Sequence, residues 1–384
     1  MIKYPNYDRS ILSIASSVLN HFGVKDCQHK TLPEFDKLLE KDYKNIIVIL
    51  FDGLGTSTLN YHLKENDFLR KHYVTDISSV FPSTTVAATT SILSGYSPLE
   101  CGWLGWDLYF EEIGENVAVF KNTLQRNGDP AAKYNVAYKY IPYKNIMQRI
   151  EKIKGRKTAY CVAFFSKYRV KSVEDICKTI YKLSKKRKKK YIYAYWNQPD
   201  HAMHGHGVTS HEAHKEILHI NSEVEKLCGK LKDSLVIITA DHGQCDGVTK
   251  YLEDYPELVE LLKLPPSVEP RALSFFVKDG RTEEFKTEFE NAFGESFRLM
   301  TKDEVFKENL LGFGTPHPKT ADFIGDFFAI SLDETCIEYK RGDFEMVGVH
   351  AGLTEEEMTV PFIAIETKRK RVGNYDIKKR NTYT

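Results

Sequence analysis

Asn45-Ile46-Ile47-Val48-Ile49-Leu50-Phe51 is apolar along nearly its whole length and rich in β-branched residues, the pattern of a strand covered on both faces in a parallel sheet. Residues 191–196 and 235–240 have the same character, and residues 74–80 and 157–165 read as further strands. Between them, apolar positions at helical spacing predict helices over 10–22, 32–39, 56–63, 173–183 and 210–231. Strands alternating with helices predict an α/β fold, a mostly parallel central sheet sandwiched by helices. From 248 to 346 the pattern is mixed. It holds an extended segment at 272–278, a helix at 283–293, and two short strands at 327–332 and 336–339 expected to pair as a hairpin. This stretch reads as a smaller inserted α+β elaboration within a single catalytic domain spanning 1–384.

Residues 81–95, Phe81-Pro82-Ser83-Thr84-Thr85-Val86-Ala87-Ala88-Thr89-Thr90-Ser91-Ile92-Leu93-Ser94-Gly95, begin as a turn and continue as a helix of small residues. Pro82 and Ser83 suit the helix entrance. The hydroxyls there serve as caps, and the unpaired N–H groups of a first helical turn also form a ready anion site.

Composition narrows the function. A net charge of +1 gives no field for a nucleic acid polymer or an anionic membrane, so any anion binding is local. The Lys185–Lys190 run falls between a helix and a strand and reads as a solvated loop; the tail from Lys368 reads as a basic, polar end. No apolar run reaches the length of a membrane span or a signal core. The seven cysteines are scattered with no Cys-x-x-Cys pair, which argues against a disulfide framework or a thiolate zinc site and fits a reducing, cytoplasmic setting.

Three strand ends carry residues able to bind metal: Asp52, then Asp200 with His204, then Asp241 with His242. Asp200 and His204 are four apart and share a helical face, while His201 and His206 lie close enough to compete. Strand ends on one edge of a doubly wound sheet converge on one cleft. His350, in a glycine-flanked turn, adds a further candidate. Lys167 and Arg169 end a strand where they either meet phosphate oxygens or form an ordinary basic loop. Trp103 and Trp106, with Tyr109 and Phe110, suit core packing or a pocket wall, with packing favoured.

Five motifs in order, Phe51-Asp52-Gly53, Phe81-Pro82-Ser83-Thr84-Thr85, Pro199-Asp200-His201-Ala202-Met203-His204, Asp241-His242-Gly243 and His350-Ala351-Gly352-Leu353-Thr354, resemble the alkaline phosphatase superfamily. The nearest branch is that of the nucleotide pyrophosphatases/phosphodiesterases, over about residues 45–365. The resemblance implies two zinc ions. Asp200, His204 and His350 match the ligands of one; Asp52, Asp241 and His242 match those of the other, which also touches the nucleophilic hydroxyl of Thr85. Thr84 is then a spacer. Nitrogen and carboxylate donors suit zinc, with manganese or iron able to use the same set. A metal would activate the poorly nucleophilic threonine, and a phosphothreonine formed at Thr85 would then be hydrolysed.

The chain departs from that pattern where relatives carry an asparagine after a Gly-x-x-Gly turn. Here Gly102-Trp103-Leu104-Gly105 is followed by Trp106, a ring able to stack on a nucleobase. Lys167 and Arg169 fall where some monoesterase relatives hold phosphate. The leading expectation is a phosphodiesterase or nucleotide pyrophosphatase acting on a small phosphorylated substrate, nucleotide-like compounds among the candidates. A phosphate monoesterase and a phosphonate hydrolase are the alternatives on the same site. A catalytically silent metal-binding protein is the alternative of another class. The sulfatase nucleophile motif is absent.

Overall fold

Asn45–Phe51 is a strand buried at every position in the computed structural model, which describes residues 1–342 and 345–368. It is flanked in parallel by Lys190–Trp196 and Ser234–Thr239, with Ala159–Val162 extending the parallel set. Thr359–Glu366 runs antiparallel to Ser234–Thr239 and to the edge strand Tyr73–Ser78, completing six strands. Apolar side chains of the sheet and of the helices Ile11–His21, Val173–Ser184 and His211–Lys230 merge into one core. A sheet apolar on both faces needs helices on both, which is why the chain alternates as it does.

The hydroxyl-rich helix spans Thr85–Ser94, with Thr84 as its N-cap and Gly95 closing it at φ +75°. It starts later than its sequence suggests, since Pro82 and Ser83 stay in the entering loop. The strand expected over 157–165 is Ala159–Val162; Phe164 and Phe165 instead lie half exposed in the turn beyond it. The last lysine of the basic run belongs to the Lys190–Trp196 strand. Lys190 is buried and its ammonium donates to Asn45 Oδ1 at 2.8 Å and to the Lys186 carbonyl at 3.0 Å.

A second, seven-stranded antiparallel sheet combines strands from the 248–346 stretch with Asp107–Phe110, Glu115–Ala118 and Thr123–Leu124. Phe285, Phe289 and Phe293 of the helix Thr282–Phe293 repeat every four residues and pack beneath it. The expected hairpin does not form. Phe327–Ser331 pairs antiparallel with Ala272–Phe275 on one edge and Phe297–Thr301 on the other. With both edges satisfied, the following strand, Thr335–Glu338, pairs in parallel with Val248–Tyr251 instead. Among the described residues no helix is long and apolar enough to cross a membrane. Residues 369–384 of the basic tail lie outside the described residues.

The two sheets are joined by a buried ion pair. Arg271 Nε and Nη2 each donate to the Glu357 carboxylate at 2.8 Å, and both side chains are fully buried. Glu357 also accepts from the Gly352 N–H at 2.8 Å and the Thr354 hydroxyl at 2.7 Å. The pair thereby fixes the turn that carries His350. In that turn Ala351 holds φ at +92°, a conformation costing a non-glycine residue about 1–3 kcal/mol.

Candidate active site

Phe51 ends the central strand, and the carboxyl of the next residue, Asp52, faces the end of the neighbouring strand. Tyr195 Oη donates to Asp52 Oδ2, leaving Oδ1 to face the start of the Thr85–Ser94 helix. There the Thr85 hydroxyl lies 3.4 Å from Asp52 Oδ1 and 3.2 Å from His242 Nε2. Asp241 Oδ1 accepts from the N–H groups of Gly53 at 3.2 Å and His242 at 3.0 Å, while its Oδ2 is buried without a partner. Glycine is required where these loops meet: a Cβ on Gly243 would stand 2.0 Å from the Glu356 carbonyl oxygen.

Asp200 opens the short helix Asp200–His206. Its Oδ2 lies 3.2 Å from His204 Nε2 and its Oδ1 lies 3.9 Å from His350 Nε2. The three imidazoles share one arrangement. His204 Nδ1 faces the Gly348 carbonyl at 2.7 Å, His242 Nδ1 that of Gly243 at 3.0 Å, and His350 Nδ1 that of Ser83 at 3.2 Å. A carbonyl oxygen only accepts, so each Nδ1 carries a hydrogen and each Nε2 is the nitrogen turned inward. The His242 and His350 rings stack with centroids 3.9 Å apart.

Among the described residues, Asp52, Asp200 and Asp241 pair with histidines and with no lysine or arginine. Burial, then the charges of Asp241 and Asp200, push the Asp52 carboxyl well above its ordinary value. Burial pushes Asp241 up to about 7, with Asp200 adding to the rise. Burial also disfavours charge on Asp200, but His204, helped by His350 and His242, outweighs it and holds that carboxyl below its usual range. Burial alone would lower His204; Asp200 overrides it and raises the imidazole to about 9. Burial and His242 push His350 far down. Buried acids driven upward, a carboxylate oxygen without a hydrogen-bond partner and converging imidazole nitrogens together fit divalent metal.

Two overlapping groups offer ligand atoms within 4.8 Å of one another: Asp52, Asp241 and His242, and Asp200, His242 and His350. The first is the expected triad. In the second, His242 takes the place of His204, which reaches the group through Asp200. Gln244, which directly follows Asp241-His242-Gly243, is a site residue that the motifs did not point to. Its Nε2 donates to Asp200 Oδ1 and lies 3.5 Å from His204 Nε2.

The cavity in front of these residues measures about 1080 Å³. Trp103 and Trp106 both line it; the Trp106 ring is edge-on to Phe120 at 6.0 Å, while Trp103 is almost wholly buried and donates from Nε1 to the Ile141 carbonyl. Thr84 sits at the N-cap position, but its side chain makes no cap hydrogen bond. Its hydroxyl donates to Glu269 Oε1 at 2.6 Å, and the same oxygen accepts from the Trp106 N–H at 2.8 Å. Lys167 and Arg169 are exposed and outside the lining, with the Lys167 ammonium over the rings of Tyr160 and Tyr168. From the same loop it is Phe164 and Phe165 that face the cavity, against Tyr195.

Comparison with known proteins gives a family and a shared fold. The family described as type I phosphodiesterase/nucleotide pyrophosphatase matches residues 46–351. No curated protein matches the chain significantly in sequence. Among solved structures, murine ectonucleotide pyrophosphatase/phosphodiesterase 5 is similar, with a TM-score of 0.65 at 16% identity over 85% of this chain and 88% of that one. An inactive variant of the murine protein, in complex with AMP, gives a TM-score of 0.65 at 15% identity, over 86% of this chain and 88% of that one. Phosphonoacetate hydrolase from Sinorhizobium meliloti 1021, in complex with phosphonoformate, gives 0.62 at 17% identity, over 85% of this chain and 90% of that one.

Proposed function

The chain belongs to the type I phosphodiesterase/nucleotide pyrophosphatase family, hydrolases of phosphoric esters, and from that membership we propose that it cleaves small phosphodiesters or pyrophosphates with Thr85 as covalent nucleophile. The observation that carries this reading is the Thr85 hydroxyl, 3.2 Å from His242 Nε2 and 3.4 Å from Asp52 Oδ1 at the mouth of a buried acid–imidazole cluster.

Asp52, Asp241 and His242 would hold one divalent ion, and Asp200, His204 and His350 a second. Zinc suits this nitrogen and carboxylate set. Bound there, such ions supply Lewis acidity toward the nucleophilic and leaving oxygens. The protein's own groups do the rest. Tyr195 orients Asp52 so that Oδ1 faces Thr85. Because Thr84 turns its hydroxyl to Glu269, the first N–H groups of the Thr85–Ser94 helix stay clear of a side-chain cap and can receive phosphoryl oxygens. The Thr85 oxygen bonds to phosphorus as the ester oxygen leaves with a proton. Water then cleaves the phosphothreonine, releasing the phosphoryl product and restoring the hydroxyl.

Trp106, Phe120, Phe164 and Phe165 offer ring faces and edges to the leaving group, which supports a flat or apolar organic moiety. The monoester reading loses its support, since Lys167 and Arg169 lie outside the cavity lining. Phosphonate hydrolysis is the second reading, favoured by the fold shared with phosphonoacetate hydrolase. The deciding experiment compares kcat/KM for an aryl phosphodiester, the matching monoester and a phosphonate on zinc-loaded enzyme. The diester is expected to lead; a monoester turned over faster overturns the reading.

A further inference from the structure

Thr84 has the backbone of a capping residue, extended at φ −132° and ψ 151°, and its carbonyl accepts the first helical bond, from the Ala88 N–H at 2.9 Å. The N–H groups of Thr85, Val86 and Ala87 come before that bond and have no partner within the helix. A threonine hydroxyl at this position ordinarily accepts from one of them. Six other helices among the described residues follow a serine or threonine, and in each the hydroxyl accepts from its own first turn. At Thr84 an outside acceptor intervenes. The hydroxyl donates to Glu269 Oε1 at 2.6 Å and makes no cap bond.

The second sheet holds that oxygen in place. Glu269 ends the strand Ser267–Glu269, and Oε1 also accepts from the Trp106 N–H at 2.8 Å, so donors on two segments fix it. Val268, just before it, has φ at +77°, a conformation that a β-branched residue takes only where its surroundings impose it. Here they do. Val268 pairs with Asp107, and its carbonyl lies so near Gly105 that a Cβ there would stand 2.6 Å from the oxygen. The strained residue thus adjoins the carboxyl that holds Thr84.

We propose that Glu269 is a positioning residue: by holding the Thr84 hydroxyl it withholds a side-chain cap from the Thr85–Ser94 helix and keeps the first-turn N–H groups open for the phosphoryl group. This rests on the hydrolase reading for what those N–H groups receive, and goes beyond it in naming what keeps them open. Without the Glu269 oxygen, the Thr84 hydroxyl turns to the helix and occupies them.

A double-mutant cycle tests it, read by calorimetric titration of zinc-loaded protein with inorganic phosphate. Glu269→Ala frees Thr84 to cap, and phosphate affinity is expected to fall at least about tenfold. Adding Thr84→Val removes the capping hydroxyl and is expected to restore affinity to within about threefold of the wild type. The Trp106 N–H loses its acceptor in both the single and the double variant, so the recovery isolates Thr84. Glu269→Gln offers Thr84 the same kind of oxygen and is expected to match the wild type. Unchanged affinity in Glu269→Ala overturns the role, as does a double variant as weak as Glu269→Ala alone. If Glu269→Ala does not fold, Glu269→Met, close to glutamate in length, replaces it with the same expectations; if neither folds, Glu269 serves the fold and the role is overturned. In a second arm, kcat for an aryl phosphodiester is expected to follow the same order across the variants, and a different order overturns the role. A wild type that binds phosphate and cleaves no ester overturns the hydrolase reading, and the phosphate cycle then decides the role of Glu269 by itself. A wild type that binds no phosphate overturns the role outright.

Discussion

The Thr85 hydroxyl oxygen lies 3.2 Å from Nε2 of His242. The Gly243 carbonyl engages Nδ1 of the same ring, so Nε2 is the ring nitrogen left to face Thr85. Threonine and histidine come from segments 157 residues apart, and the sheet brings them to one edge.

Thr85→Ala removes the proposed nucleophile and leaves the candidate ligands intact. The expected result is a loss of at least about 10³-fold in kcat with unchanged metal content by elemental analysis. Turnover near the wild-type rate in that variant would rule out the nucleophile.

Chelation should abolish hydrolysis and lower the unfolding temperature together, because Asp241 Oδ2 has no hydrogen-bond partner in the protein and the buried acids Asp52 and Asp241 are pushed up without a cation. A ligand at about 100 times its Kd adds about 2.7 kcal/mol to stability. Zinc restoring both properties at two ions per chain agrees with the proposal; full activity in metal-free protein contradicts it.

Glu269 sets a pH dependence of stability whose sign follows from its raised value. Burial lifts the carboxyl to about 8, so the folded protein keeps a proton that the unfolded chain has already released. Stability from this group therefore falls as pH rises from about 4.5 to about 8. Glu269→Gln, neutral throughout, should unfold at a temperature that gains on the wild type across that window. A difference that stays constant from pH 5 to 8 would count against the assignment.

Glu357→Gln leaves Arg271 buried without its counter-charge, and breaking such a pair costs about 3–5 kcal/mol. Urea denaturation should show that loss. Replacing both residues with apolar side chains of similar size should recover much of it, since two buried charges disappear together. A single variant as stable as the wild type would show that the ion pair does not hold the two sheets.

Legibility followed distance along the chain. The continuous apolar run of Asn45–Phe51 marks a buried strand by itself, and Asp52 at its end marks a strand-end site, because both signals sit within a few residues. Asp200 and His204 are readable as a pair because one helical turn brings them together. The expected hairpin of residues 327–339 failed because pairing depends on which strand edges are free, and Phe327–Ser331 had both edges occupied.

The sequence by itself determined the buried strands and the ligand-capable residue types at their ends, both consequences of local pattern, while the choice of Thr85 within its run is what the family resemblance implies. Which loop side chains face the cavity was decided by the tertiary structure. It turned Phe164 and Phe165 inward and left Lys167 and Arg169 outside. It also joined Glu269 to Thr84 across 185 residues and Tyr195 to Asp52 across 143. Such contacts depend on how two sheets dock and how each loop leaves its strand, and no short stretch of chain encodes that.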